Sequence, residues 1–191
     1  SYSVTGVQTC ALPIWRGKPM PLKPQADEGV KDAPSVKNVI VLKRTGLEVP
    51  WTEGRDVWFH ELVASQSADC KTEVMDAEDR LFILYTSGTT GKPKGIEHAH
   101  GGYCVCPAQT LKWVFDLKEG DIWWCTADVG WITGHSYVAY GPLSLGVTSI
   151  MYEGSPDFPD FGRWYKIIQE HKVSVFYTAP TAVRIDRKSV V

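Results

Sequence analysis

No apolar run in this 191-residue chain approaches the roughly 20 residues that a membrane-spanning helix needs. The first residues also lack a charged segment followed by a long apolar core, so no secretory leader is read there and the expected location is cytoplasmic. Charge of one sign is scarce: 20 Lys and Arg stand against 22 Asp and Glu, a formal net charge of −2. That balance excludes nucleic acid or an anionic membrane as a partner held by bulk charge. The five cysteines include Cys104-Val-Cys106, too close for zinc ligation, and no second pair completes a site. His98 and His100 have no carboxylate or thiol at ligand spacing, so no metal centre is expected and the thiols read as buried or idle. A Gly-x-Ser-x-Gly elbow is missing, which removes the usual serine-hydrolase reading. Aromatic residues, in contrast, are plentiful, with eight Trp and eight Tyr, as in a folded chain with a pocket.

The most informative stretch is Tyr85-Thr-Ser-Gly-Thr-Thr-Gly-Lys-Pro-Lys-Gly95. It follows the apolar run Leu81-Phe-Ile-Leu-Tyr85, so it reads as a strand opening into a loop lined with donors. Glycines let backbone N–H groups converge and lysines supply charge, which together wrap an anion. The spacing is not that of a P-loop: only Thr89 and Thr90 separate Gly88 from Gly91-Lys92, and no Ser or Thr follows the lysine. A phosphate-gripping loop of another kind is expected, with Thr86, Ser87, Gly88, Thr89, Thr90, Gly91, Lys92 and Lys94 as its binding residues.

Around it the chain alternates strand and helix signals, which predicts an α/β layered fold. Residues 19–37 are rich in Pro, Lys, Asp and Glu and read as a connecting segment. Short strands are expected at 38–42, 81–86, 122–125, 147–152 and 173–177, with a turn at 50–55 and a polar lead-in at 76–79. Helices are expected at 57–63 and 102–115, the second kinked or starting late because Pro107 falls inside it. Phe161, Trp164, Tyr165 and Ile168, at i, i+3, i+4 and i+7, predict an amphipathic helix.

The eleven-residue loop string resembles the signature of the adenylate-forming superfamily. Longer segments narrow the resemblance: Met75-Asp-Ala-Glu-Asp79, Asp121–His135, Tyr140-Gly-Pro-Leu143, Phe176–Ala182, Arg44-Thr-Gly and Trp51–Asp56 look like AMP-forming acetyl-CoA synthetase. The likeness covers residues 16–185, which implies a partial, incomplete N-terminal domain of the adenylate-forming fold. It implies acetate, ATP with Mg²⁺, and coenzyme A as reactants, passing through acetyl-adenylate and pyrophosphate. By resemblance, Trp131, Ile132 and Thr133 line the acyl pocket, with Ile132 against the acetate methyl and Thr133 touching coenzyme A. Arg16, Gly17 and Lys18 match a basic segment that meets the coenzyme A phosphates, and Asp157 stands where the family commonly has an asparagine that touches the same ligand. Trp15 replaces a usual basic residue, and Pro107 lies in a helix that is normally free of proline. Asp128 and His135, seven residues apart, are expected to make structural hydrogen bonds rather than an acid–base pair.

The family's downstream Tyr-Gly-x-Thr-Glu and Thr-Gly-Asp motifs do not occur, nor does the C-terminal domain with its catalytic lysine, so no catalytic side chain is assigned. Val4–Ile14 and Asp186–Val191 resemble translations of short-read sequencing adapters, which marks 1–15 and 186–191 as artefactual and 16–185 as the natural insert. The alternatives are a propionate or other short-chain acyl-CoA synthetase, and a catalytically inert fragment.

Overall fold

The structure is a computed structural model that describes residues 14–15, 17–86, 92–155 and 157–187. The chain divides into two compact units, one formed by residues up to Lys71 with Glu153–Pro159, the other by Thr72–Tyr152 with residues from Asp160 onward.

In the first unit, β1 (Ile14–Trp15) and β2 (Lys18–Pro19) form a tight antiparallel hairpin, followed by helix α1 (Leu22–Val30). That helix replaces the connecting segment expected at 19–37. Pro24 sits in its first turn, where no intrahelical N–H is required, and Lys23 pairs with Asp27 one turn on at 2.7 Å. Strands β3 (Val39–Val41) and β4 (Asp56–Trp58) pair in parallel, and β4 runs directly into α2 (Phe59–Ala64). The helix expected from residue 57 therefore starts at 59. Val57 and Trp58 are drawn into the ladder with Ile40 and Val41, where β-branched and aromatic side chains pack well.

An ion cluster organises this unit. Lys23 is only 6% exposed, and its ammonium meets Asp56 at 2.7 Å as well as Asp27. Arg55 bridges the same two carboxylates, reaching Asp56 at 2.7 Å, and the Thr52 N–H donates to Asp56 at 2.8 Å. A buried charge is costly unless paired, and here every partner lies within hydrogen-bond distance. Burial pushes the Asp56 carboxyl up, but the hydrogen bonds from Arg55, Lys23 and Thr52 outweigh it and hold the pKa at about 2.

The second unit opens with an antiparallel hairpin, β5 (Arg80–Thr86) and β6 (Lys94–Ala99), leading into α3 (His100–Trp113). Helix α3 begins two residues earlier than expected and continues through Pro107. Tyr103, Pro107 and Leu111 form its buried stripe at i, i+4 and i+8, so burying the proline ring offsets part of the lost backbone bond. Strand β7 (Ile122–Cys125) is the centre of a parallel sheet, between β8 (Thr148–Ile150) and β9 (Val175–Tyr177). Trp123 and Trp124, adjacent on β7, point to opposite faces and are both 0% exposed. Trp123 packs among Leu111, Leu117, Val138 and Phe115, while Trp124 meets Trp164 of α6 (Arg163–Glu170) at 5.8 Å. A parallel sheet buried on both faces is what apolar strands of this kind require.

The face of α6 differs from the expected one. Ile167 is buried and Trp164 and Ile168 flank it, whereas Tyr165 is exposed and Phe161 precedes the helix. Between β7 and β8 a continuous helical run of α4 (Ile132–Gly134), a π-turn (His135–Tyr140) and α5 (Gly141–Leu145) crosses over the sheet. Helix α7 (Pro180–Arg187) ends the described chain. No helix among the described residues is long and apolar enough to cross a membrane.

Candidate functional site

Strands β5 and β6 flank the donor-rich stretch. Thr86 pairs with Lys94, Leu84 with Ile96 and Phe82 with His98, so the paired strand ends at Thr86 and Lys94 bracket the donor-rich stretch in sequence. Ser87, Gly88, Thr89, Thr90 and Gly91 lie outside the described residues. Lys92 and Lys94 are exposed at the base of the loop on its return side. Directly paired residues of an antiparallel ladder share a face, and that face recurs every second residue. Phe82, Leu84 and Thr86 thus share one face with His98, Ile96 and Lys94. Ile83 and Tyr85 point the other way and are 46% and 69% exposed.

The Phe82 face is where the rest of this unit gathers. The Phe82 ring lies 4.9 Å from Tyr103 on α3, 4.8 Å from His98, and 5.1 Å from His135 in the π-turn. His135 Nδ1 lies 3.0 Å from the carbonyl oxygen of Trp131. Strand β5 and the helical run that begins with Ile132 and Thr133 are therefore joined through Phe82 and His135. Trp131 itself is 67% exposed, and Ile132 and Thr133 are half-buried.

Trp131–Thr133 follow the carboxyl end of β7, the edge at which open α/β sheets bind ligands. Next along that edge, Thr126 donates to Thr178 at 2.6 Å, tying the residues that leave β7 and β9. The loop 126–131 is held by Asp128, whose carboxylate accepts the Gly130 N–H at 2.7 Å and whose carbonyl accepts the Trp131 N–H at 3.1 Å. Asp128 and His135 each bond to backbone, the structural role expected of them. Gly134 makes this packing possible: a Cβ there would stand 2.0 Å from the Asp128 carbonyl oxygen.

The residues matched to coenzyme A fall into both units. In the first unit Gly17 packs under the ring of Phe158, which is next in sequence to Asp157. Lys18 is exposed, and Asp157 accepts a hydrogen bond from the buried Ser155 hydroxyl. Arg16 lies outside the described residues, and Thr133 belongs to the second unit. A cavity of about 390 Å³ in the first unit, lined by Lys43, Leu47, Glu48, Trp51 and Trp58 among others, contains none of the predicted residues.

Cys125 is buried and burial pushes its thiol up, away from the thiolate form, while Cys70, Cys104 and Cys106 are free and exposed. No group of His, Cys, Asp and Glu among the described residues is arranged to hold a metal ion. Sequence reasoning missed Phe82 and Tyr140 as organisers of the site. The signal available for Phe82 was its alternation with Leu84 and Thr86 on one strand face.

A parallel sheet covered on both faces, preceded by the β5–β6 hairpin and helix α3, is consistent with an incomplete α/β domain of the adenylate-forming type. The AMP-binding enzyme family matches residues 11–186, and the chain belongs to that family. It is 68% identical over 174 residues to an acetyl-coenzyme A synthetase of Methanothrix thermoacetophila, covering 91% of this chain and 26% of that protein. The acetyl-coenzyme A synthetase of Methanothrix soehngenii is 67% identical over 173 residues, and acetyl-coenzyme A synthetase 2 of Pseudomonas aeruginosa 56% identical over 168. The chain spans about a quarter of the length of these relatives, 26% in each case.

Proposed function

We propose that this chain is the phosphate-loop and acyl-pocket portion of an AMP-forming acetate–CoA ligase. The whole enzyme joins acetate to ATP as acetyl-adenylate, releasing pyrophosphate, and then passes the acetyl group to the coenzyme A thiol with loss of AMP. The observation that carries this reading is the shared geometry of the second unit, where Thr86 and Lys94 lie on the hairpin face whose Phe82 touches His135, in the helical run that begins with Ile132 and Thr133. The match to acetyl-coenzyme A synthetases of several organisms supports it.

The chemical difficulty of the first step is electrostatic. A carboxylate must approach a triphosphate, and like charges at contact repel by several kcal/mol at intermediate dielectric. ATP enters with Mg²⁺. Lys92, Lys94 and the N–H and hydroxyl donors of residues 86–91 offset the remaining charge and stabilise the pyrophosphate as it leaves, by positioning rather than covalent participation. By resemblance, Ile132 closes on the acetate methyl and Thr133 of the second unit contacts coenzyme A, while Arg16, Gly17, Lys18 and Asp157 of the first unit are each assigned to the same ligand by resemblance alone. One extra methylene is discriminated by only about 1–3 kcal/mol through binding, so propionate is the nearest competing substrate. The location we assign is the cytoplasm, with no nucleic-acid or membrane partner.

Full-length protein supplied with acetate, ATP, Mg²⁺ and coenzyme A is expected to yield acetyl-CoA, AMP and pyrophosphate; ADP and phosphate as products would refute the assignment. We further read residues 1–15 and 186–191 as translated adapter. Sequencing the locus from intact genomic DNA checks this, and finding Val4–Ile14 encoded in the uninterrupted gene removes it.

A further inference from the structure

We infer that the π-turn His135–Tyr140 is a positioning device that locks the acyl-pocket helix to the phosphate-loop strand through Phe82. The inference rests on the acetate–CoA ligase reading for the identity of the two subsites. The geometry is carried by five rings from four elements. Phe82 stands between His135 at 5.1 Å and Tyr140 at 6.0 Å, with Tyr103 and His98 at its other edges. In an α-helix two residues five apart point about 140° away from each other, so they cannot share one neighbour of this size. A π-turn, with its i→i+5 hydrogen bonds, brings such a pair onto one face. The Gly141 N–H donates to the Ser136 carbonyl across that five-residue span.

The sequence that follows explains why the turn widens. Pro142 has no N–H to give to Val138, and a proline ring presses on the carbonyl four residues back. Gly141 can only be glycine here, since a Cβ would lie 2.7 Å from the Ser136 oxygen and 2.8 Å from the Leu111 side chain. Ser136 is held from a second side by the Tyr103 hydroxyl at 2.8 Å. Both ends of the device reach the site. His135 contacts the Trp131 carbonyl, immediately before Ile132 and Thr133, and Phe82 shares its strand face with Thr86 and Lys94. Phe82, His135 and Tyr140 are thus positioning residues for two subsites at once.

The test uses the full-length enzyme, with Phe82→Leu, Tyr140→Leu and the double variant assayed by acetate-dependent ATP–pyrophosphate exchange. Each single variant should raise the KM for acetate and the KM for ATP together, by about tenfold, because displacements near 1 Å cost up to about 100-fold. The double variant should be no worse than the poorer single one, as expected of two residues in one contact. Tyr140→Leu carries the test alone if Phe82→Leu does not fold. Unchanged KM values in a folded variant, a change in only one of the two, or multiplying effects in the double variant would overturn the inference. A wild-type enzyme without acetate-dependent exchange overturns the ligase reading and this inference with it; an active wild type with unshifted variants overturns the inference alone.

Discussion

Asp56 shows how a single residue can hold a unit together by charge. Its side chain is fully buried, and Lys23 and Arg55 both pair with it. The folded carboxyl titrates near 2, below its ordinary 3.8. A group with a lowered folded pKa contributes its full stability above the ordinary value and loses it as pH falls through the folded one. Urea denaturation between pH 4 and pH 2 is therefore expected to show the first unit losing about 2 kcal/mol. A flat profile over that window would show that the cluster contributes nothing. At the opposite pole, Gly134 acts by having no side chain. Gly134→Ala forces the Asp128–Val129 backbone away from α4, and overpacking of this kind costs about 1–3 kcal/mol by denaturant titration.

At the scale of elements, sequence reading succeeded where hydrophobic pattern alone decides the outcome. The strand at 122–125 is found at Ile122–Cys125, since two adjacent tryptophans in a short apolar run suit a sheet covered on both sides. It failed where tertiary pairing overrides local pattern. Val57 and Trp58 look helical with their neighbours, yet they pair with β3, and residues 22–30 form a helix that their Pro and Lys content hides. Thr86, Lys94, Ile132 and Thr133 could be named as candidate residues from motif order alone. The cluster joining them could not, because a π-turn has no periodicity to read; its trace is Gly141-Pro142 alone. Helix α6 gives a direct check on face assignment. Ile167→Ala should cost about 2–4 kcal/mol, whereas truncating the exposed Tyr165 should cost no more than about 0.5–1 kcal/mol, both read by urea unfolding.

The whole molecule is a set of working parts with much of its apolar surface uncovered. Trp113, Val114, Leu143 and Met151 are each more than 70% exposed, and β8 and β9 are edge strands of the described parallel sheet. Exposed apolar patches and open edges favour association. Sedimentation of the isolated chain is expected to show concentration-dependent self-association; a strictly monomeric chain would contradict this.

We propose that the hairpin loop and the helix of Ile132 and Thr133 serve one adenylation reaction in the whole enzyme. The most direct measurement of this is exchange of labelled pyrophosphate into ATP by the full-length protein, with and without acetate, before any coenzyme A is added. Exchange that appears only with acetate, and falls when Lys92 and Lys94 are both replaced by alanine, is the result predicted. Exchange independent of acetate, or acetate-dependent exchange indifferent to both lysines, would contradict it.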